Sequence, residues 1–402
     1  MDAIEELLRR GVDKIYPSKE ELEKTLRSGK KLKIYQGFDP TSTELHIGHM
    51  VGLKKLRQWQ DLGHEVIFLI GDFTGMIGDP TGKDKSRILL TREQVLENAK
   101  TYQTQTSKIL RFDGNNPIVI KYNSEWLNKL SAADLLKLTA YLSVQQTIER
   151  DMFQKRLENE KDISLSEFLY PLLQGYDSVA MDVDLEIGGS DQLFNMMTGR
   201  DLMHKIKNKE KFVMTTPLLT DASGKKIGKT EGNVIGLTDK PESLFGKLMT
   251  LPDNVIIKGL EYLTDIPMEE IGNIKRAIDN GENPMTYKKK LAFEITKELN
   301  SQQEALKAQE NFERTVQQKE TPEEIPTINL PESLVSGATI IDALAGLELA
   351  ESKSDAKRLV EQGGVTIDNK LIDNPQATFA PENGTIIKVG KRKFVKVQIP
   401  AS

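Results

Sequence analysis

Two histidines three residues apart, His46 and His49, enclose Ile47 and Gly48 just after a strand-like run that ends in Gly37-Phe38-Asp39-Pro40-Thr41. The spacing predicts that this tetrad opens a helix. A helix N-terminus presents unpaired N–H groups and the positive end of the dipole, so it attracts phosphate. Residues at i and i+3 share a face there, and Gly48 removes a side chain where a nucleotide must come close. A pair of ordinary surface histidines, or a two-histidine metal site, would fit the same tetrad. The chain holds four histidines, so half of them sit here. A second segment, Asp221-Ala222-Ser223-Gly224-Lys225-Lys226-Ile227-Gly228-Lys229-Thr230, reads as a mobile polar loop. Lysines on such a loop can close over a triphosphate and neutralise charge as pyrophosphate departs. A solvated basic loop is the plainer alternative. A P-loop is excluded, because the Gly-x4-Gly-Lys-Ser/Thr spacing is missing.

Two further groups carry polar chemistry in apolar surroundings. Tyr170, Gln174 and Asp177 fall on one face of a predicted helix. A phenol, an amide and a carboxylate on one face need polar partners, either a ligand or an internal hydrogen-bond network. Gly188-Gly189-Ser190-Asp191-Gln192 follows the strand-like run 181–187. Its glycines permit close approach to a ribose and Asp191 could accept ribose hydroxyls, although a glycine-rich turn would look the same.

His46-Ile47-Gly48-His49 and, about 180 residues on, Lys226-Ile227-Gly228-Lys229-Thr230 together resemble the paired signatures of class I aminoacyl-tRNA synthetases. The second departs from the general form Lys-Met-Ser-Lys-Ser at three positions. It is close to the Lys-Phe-Gly-Lys-Thr form usual in tyrosyl enzymes, and both lysines are kept. The resemblance implies catalytic roles for His46, His49, Lys226, Lys229 and Thr230. It places Asp39, Gly48, Gly189 and Asp191 at ATP with the same histidines and lysines. Tyr170, Gln174 and Asp79 match residues at the α-amino end of tyrosine, Tyr35 and Asp177 match the pair on its phenol, and Gln192 matches a contact near the reacting carboxyl group. A site built to bond a phenol leaves its own polar groups unpaired when phenylalanine enters. The family's known rejection of phenylalanine is the worked case of this rule. No segment is long enough for an editing domain.

The expected partners are therefore L-tyrosine, ATP with Mg²⁺ and tRNA(Tyr), with no protein-bound metal. Tryptophanyl enzymes share both signatures; the Tyr35–Asp177 pair and the tail argue against them. A shorter nucleotidyltransferase with a His-x-Gly-His motif would lack the tail. A non-catalytic RNA-binding relative would not need the histidines, lysines and carboxylates kept here.

These residues need a scaffold. Lys33–Phe38 and Glu65–Ile70 read as strands, residues 46–62 and 92–111 as helices, and Ile118-Val119-Ile120 as the start of another strand. Such alternation argues for an α/β fold with a Rossmann-like parallel sheet and right-handed crossovers. Residues 125–160 read as a helical insertion in that catalytic domain, 1–240. Strand signals vanish from 241 to 320, which predicts an α-helical domain. The Pro-punctuated stretch 321–336 is the candidate linker. The tail, 337–402, has helical spacing at Ile341, Leu344 and Leu347. Ser354 is suited to cap a second helix, and Gly363-Gly364 turns into a strand. With Lys388, Lys391, Arg392, Lys393 and Lys396 the tail resembles the small α+β S4-type RNA-binding module. Lys357, Arg358, Lys391, Arg392 and Lys393 are the expected RNA contacts, though a charge run is also what a solvated face looks like.

Composition sets the outer limits. The 402 residues suggest two or three domains of roughly 150 residues. A content of 38% hydrophobic and 29% charged residues is that of an ordinary globular protein. A net charge of -5 confines nucleic-acid binding to local basic patches. Without cysteine there are no disulfides, thiolate metal sites or cysteine nucleophiles. The acidic N-terminus is unlike a signal peptide, and no apolar run approaches the ~20 residues of a membrane span. The expectation is a cytoplasmic enzyme, and the resemblance implies a homodimer joined through the inserted helices.

Overall fold

A computed structural model describes the chain apart from residues 1, 82–88, 225, 228, 231–232, 318–324, 332–333, 335–337, 369, 391–392 and 400–402; of 229, 230, 233, 316 and 317 it describes only the backbone. The chain forms two compact units, 1–305 and 306–402.

The first unit is built on a six-stranded sheet in the order β1-β6-β5-β2-β3-β4. Its strands are β1 Lys14–Tyr16, β2 Lys33–Phe38, β3 Glu65–Ile70, β4 Val119–Tyr122, β5 Leu185–Gly189 and β6 Phe212–Thr216. Only β1 runs antiparallel, along β6 at one edge. β3 reads Glu-Val-Ile-Phe-Leu-Ile and is buried from Val66 to Ile70. Such an unbroken apolar run belongs to a parallel strand covered on both faces. β2 lies between β3 and β5, in parallel with each. The chain leaves β2 through the helix Ile47–Asp61 to reach β3 on one side, and β5 enters later on the other. The strand order thus reverses at β2, and a crevice opens beyond the carboxyl ends of β2 and β5. Open α/β sheets bind ligands at that point.

Two helices cover the sheet behind this crevice, Leu165–Met181 and Leu193–Lys207. They cross where Gly175 faces Gly199. A Cβ on Gly175 would stand 3.1 Å from the Gly199 nitrogen, so glycine lets the two backbones touch. The first helix ends at Asp182, which takes a left-handed conformation at φ 51°. That shortens the strand expected over 181–187: Met181 is still helical and β5 begins at Leu185. Between β4 and this helix the chain is helical over Ser124–Leu127, Ala132–Thr139, Val144–Ile148 and Asp151–Glu158.

From Pro241 to Phe312 the regular structure is helical. Residues 241–305 do not form a unit apart from the sheet. The Arg10 guanidinium donates to the carbonyl oxygens of Leu260 and Glu261. Lys54 Nζ, on the helix after β2, meets Asp265 and Glu298 at 2.7 Å each. These buried cations bind the helical region to the sheet, so the division falls at 305 and not at 320.

The second unit carries a five-stranded sheet, order β11-β10-β12-β13-β9. Its strands are β9 Thr327–Asn329, β10 Val365–Ile367, β11 Lys370–Leu371, β12 Ile386–Val389 and β13 Lys393–Gln398. The expected linker is corrected here. Thr327–Asn329 pairs in parallel with β13, and Leu330 is buried in this unit's core. Pro326 and Pro331 bracket the strand, and so they punctuate an element and not a tether. Ser354 is not the cap of the helix Lys353–Glu361: Ser352 is, accepting from the Asp355 N–H, which leaves Ser354 within the first turn.

Candidate active site

One cavity of about 470 Å³ opens at the strand reversal. It is lined by Tyr35, Asp39, His46, Gly48, His49, Asp79, Tyr170, Gln174, Asp177, Gly189, Asp191, Gln192 and Lys226, residues far apart in the chain. The side chains of Lys229 and Thr230 lie outside the described atoms; their backbone forms β7 Lys229–Thr230, paired with β8 Asn233–Val234.

The histidines are held by the helix they begin. His46 is its N-cap. Its Nδ1 accepts the Gly48 N–H at 3.1 Å, and His49 Nδ1 accepts the His46 N–H at 3.1 Å. Each neutral ring therefore carries its proton on Nε2, where it is a donor. Gly48 answers a crowding need. A Cβ there would meet the His46 ring at 2.9 Å and the Ile227 carbonyl oxygen at 3.2 Å, so glycine lets the lysine loop reach the helix N-terminus. That loop turns at Asp221, whose carboxylate accepts from Ser223, and at Gly224 with φ 81°. It returns so that Lys226 Nζ meets Asp191 Oδ2 at 2.5 Å. This end of the cavity is open, with the Lys226 side chain 56% exposed.

The other end is closed. Tyr35 on β2 and Asp177 on the covering helix are buried. Asp177 accepts from Trp126 Nε1 at 2.8 Å and Asn123 Nδ2 at 3.3 Å. Burial pushes its carboxyl well above the usual carboxylate range, against those two hydrogen bonds. Burial also raises the Tyr35 phenol well above its ordinary value, assisted by the Glu186 and Asp177 charges, so the hydroxyl keeps its proton. Tyr170 behaves alike, raised by burial and then by the charges of Asp39 and Asp79.

Between the two ends the polar groups form separate pairs. Tyr170 Oη donates to Asp39 Oδ2 at 2.8 Å, and Thr74 Oγ1 donates to Asp39 Oδ1 at 2.7 Å. Gln192 Nε2 donates to Asp79 Oδ2 at 2.6 Å. Thr81 closes a turn onto Asp79 Oδ1 with its N–H and its hydroxyl. Gln174 Nε2 donates to Glu186 Oε1 at 3.1 Å, which leaves the buried Gln174 Oε1 without a protein donor. Tyr170, Gln174 and Asp79 share the cavity, then, without bonding one another.

The cavity thus joins a closed polar end to an open end of histidines and a lysine. The family model described as tRNA synthetases class I (W and Y) matches residues 27–317, and the S4 domain model matches residues 341–382. A tyrosine–tRNA ligase of Thermotoga maritima is 44% identical over 393 residues, 97% of this chain and 96% of that protein. One from Methylococcus capsulatus is 43% identical over 99% of each chain. The chain belongs to the class I tyrosyl-tRNA synthetases. Among solved structures, a C-terminally truncated mitochondrial tyrosyl-tRNA synthetase of Aspergillus nidulans matches with a TM-score of 0.66 at 24% identity. It covers 78% of this chain and 93% of its own, a likeness of fold.

Several cavity residues of this synthetase escaped the sequence reading. Thr74 opens the short helix Thr74–Ile77 after β3, Asn123 directly follows β4, and neither gave a local signal. Glu186 did give one, as a single carboxylate inside the otherwise apolar run of β5. Lys211, fully buried before β6, pairs with Glu186 and carried no mark in sequence. In the S4 unit Lys357 and Arg358 are exposed on one helix, each paired with an acid of that helix, Glu361 at 3.8 Å and Asp355 at 2.6 Å. Lys393 lies on β13, and Lys391 and Arg392 lie outside the described residues.

Proposed function

We propose that the chain activates L-tyrosine with Mg-ATP and then esterifies the terminal adenosine of tRNA(Tyr), with the cavity residues in the roles that follow. What carries the reading is the convergence of Tyr35 and Asp177, of Tyr170, Gln174, Asp79 and Gln192, and of His46, His49, Asp191 and Lys226 on one cavity at the strand reversal. Tyrosine enters with its phenol at the closed end. Gln174 Oε1, Asp79 and the Tyr170 hydroxyl face its ammonium. Gln192 holds the carboxylate end. ATP lies across the His46 helix N-terminus, with its ribose at Gly189 and Asp191 and its adenylate beside Asp39.

The tyrosine carboxylate attacks the α-phosphorus in line. A new P–O bond forms as the bond to the β-phosphate oxygen breaks, and pyrophosphate leaves with that electron pair. The Nε2–H donors of His46 and His49 and the lysines 226 and 229, with Thr230, meet the charge that develops on the phosphates. A ribose hydroxyl of the tRNA then attacks the tyrosyl carbonyl, and AMP departs. Mg²⁺ arrives with ATP and shares that charge. No protein nucleophile is involved.

RNA is held in part by the S4 unit, where Lys357, Arg358 and Lys393, with Lys391 and Arg392, supply phosphate contacts. The inserted helices present exposed Leu136 and Val144, and the covering helix begins at exposed Leu165, apolar surface that supports the expected homodimer. Among the described residues no helix is long and apolar enough to cross a membrane, and we place the enzyme in the cytoplasm. The two steps can be separated. Enzyme mixed with tyrosine and Mg-ATP, without RNA, is expected to accumulate tyrosyl-adenylate and release an equal amount of pyrophosphate. Adding tRNA should discharge the adenylate. If no adenylate formed before RNA was added, the two-step reading would be wrong.

A further inference from the structure

Behind the closed end of the cavity lies an ion pair to which the reaction assigns no part. Lys211 is fully buried and its ammonium meets the Glu186 carboxylate, also buried. Glu186 lies opposite Tyr35 across the β2–β5 ladder. Lys211 Nζ donates to Ser178 Oγ at 2.8 Å, and Ser178 Oγ lies 2.8 Å from Tyr35 Oη. Room for the ammonium comes from the helix crossing, since a Cβ on Gly199 would stand 2.7 Å from Lys211 Nζ and 3.0 Å from Ser178 Oγ. Buried ion pairs are seldom a gain in stability over apolar residues of like volume. A role for this one must be sought in what it orients.

The proton count supplies a direction. An ammonium only donates, so Ser178 Oγ accepts from Lys211 and has one proton to give. Its two possible acceptors are Tyr35 Oη at 2.8 Å and Glu186 Oε2 at 3.4 Å. The Tyr35 contact is the better formed, since 3.4 Å lies at the limit of a hydrogen bond. With Tyr35 Oη accepting from Ser178, the phenol's own proton is left for an acceptor in the cavity.

We propose that Lys211 and Ser178 are positioning residues for a phenolic substrate: the buried ammonium orients Ser178, and Ser178 turns the Tyr35 hydroxyl outward as a donor. This rests on the reading that Tyr35 and Asp177 meet the phenol. A bound phenol completes a one-way chain in which Lys211 donates to Ser178, Ser178 to Tyr35, Tyr35 to the phenol oxygen and the phenol to Asp177. A phenyl ring leaves the Tyr35 donor and the Asp177 acceptor both unanswered, so the chain acts on tyrosine and not on phenylalanine.

The test is the ratio of kcat/KM for tyrosine to that for tyrosine-free phenylalanine in ATP–pyrophosphate exchange. Ser178→Ala keeps the ion pair intact. It should lower the ratio about tenfold through a higher KM for tyrosine, with kcat and the phenylalanine values little changed. Lys211→Met combined with Glu186→Gln removes both charges, so that neither ion is left buried alone. It should lower the ratio likewise, because any effect on Gln174 is common to both amino acids. Loss of activity toward both amino acids in equal proportion, in both variants, would mark a merely structural role and overturn the proposal. Tyr35→Phe serves as the reference. If it lowers the ratio and Ser178→Ala does not, the positioning chain fails while the phenol reading stands. If Tyr35→Phe leaves the ratio unchanged, the phenol reading itself fails and takes the chain with it.

Discussion

Lys226 Nζ and Asp191 Oδ2 meet at 2.5 Å and join the lysine loop to the turn after β5. Both groups belong to the proposed ATP site, so nucleotide must replace their mutual contact with phosphate for the lysine and ribose hydroxyls for the carboxylate. The exchange is easy, because an exposed pair of this kind contributes at most about 1 kcal/mol. In the proposed role Lys226, freed to follow the charge on the departing pyrophosphate, acts in the transition state more than in the ground state. Lys226→Ala should therefore slow single-turnover adenylate formation about 10²-fold while tyrosine affinity stays within twofold. A rate within threefold of the parent would remove Lys226 from the phosphates.

Tyr170 and Asp39 make the next prediction. The phenol donates to the carboxylate at 2.8 Å, and Thr74 holds the other oxygen. Tyr170→Phe removes one donor from Asp39 and takes a polar atom out of the tyrosine site. A hydrogen bond to a charged group is worth about 1.5–3 kcal/mol. Equilibrium binding of tyrosine should weaken about 10- to 100-fold, with the thermal midpoint little moved. Unchanged binding would place Tyr170 outside the substrate contacts.

The helix crossing makes a prediction about stability. A Cβ at position 199 would come within 2.7 Å of Lys211 Nζ and 3.2 Å of the Gly175 Cα. Gly199→Ala should cost about 1–3 kcal/mol by overpacking, read as a lower urea midpoint with an unchanged slope. A variant as stable as the parent would mean that the helices can part without penalty.

His64 should leave a mark on the pH dependence of folding. Its Nδ1 accepts the Leu32 N–H at 3.1 Å. Burial, and after it the nearby Lys31 charge, holds its pKa down at about 4, against 6.5 for a free imidazole. The unfolded chain thus binds a proton that the folded chain refuses between those values. The contribution is fully present above pH 6.5 and is lost as pH falls from there toward 4. The urea midpoint should fall over that window, and less steeply in His64→Gln. Parallel pH profiles for the two proteins would show that another group governs the window.

The legible parts of the molecule were those where a local pattern decides the outcome. β2 and β3 stand where their apolar runs end, and His46 opens its helix as the tetrad implied. The unread parts are those fixed by distant partners. β1, three residues long, has its place from its antiparallel pairing with β6 about 200 residues away. β9 was hidden between two prolines, and only its pairing with β13 makes it a strand. In the site, Tyr170, Gln174 and Asp177 were visible because polar groups on one helix face need partners. Which partners they take was not, since Asp39, Glu186 and Trp126 come from other elements. Lys211 shows the limit most clearly, as a lysine before a strand gives no sign that Gly199 has made it a buried hole.

Amino-acid-dependent ATP–pyrophosphate exchange, run with tyrosine and tryptophan in parallel, tests the central claim most directly. The cavity's closed end, with the Tyr35 phenol and Asp177, predicts exchange that depends on tyrosine, with none above background for tryptophan. Exchange with tryptophan alone, or with neither amino acid, would contradict it.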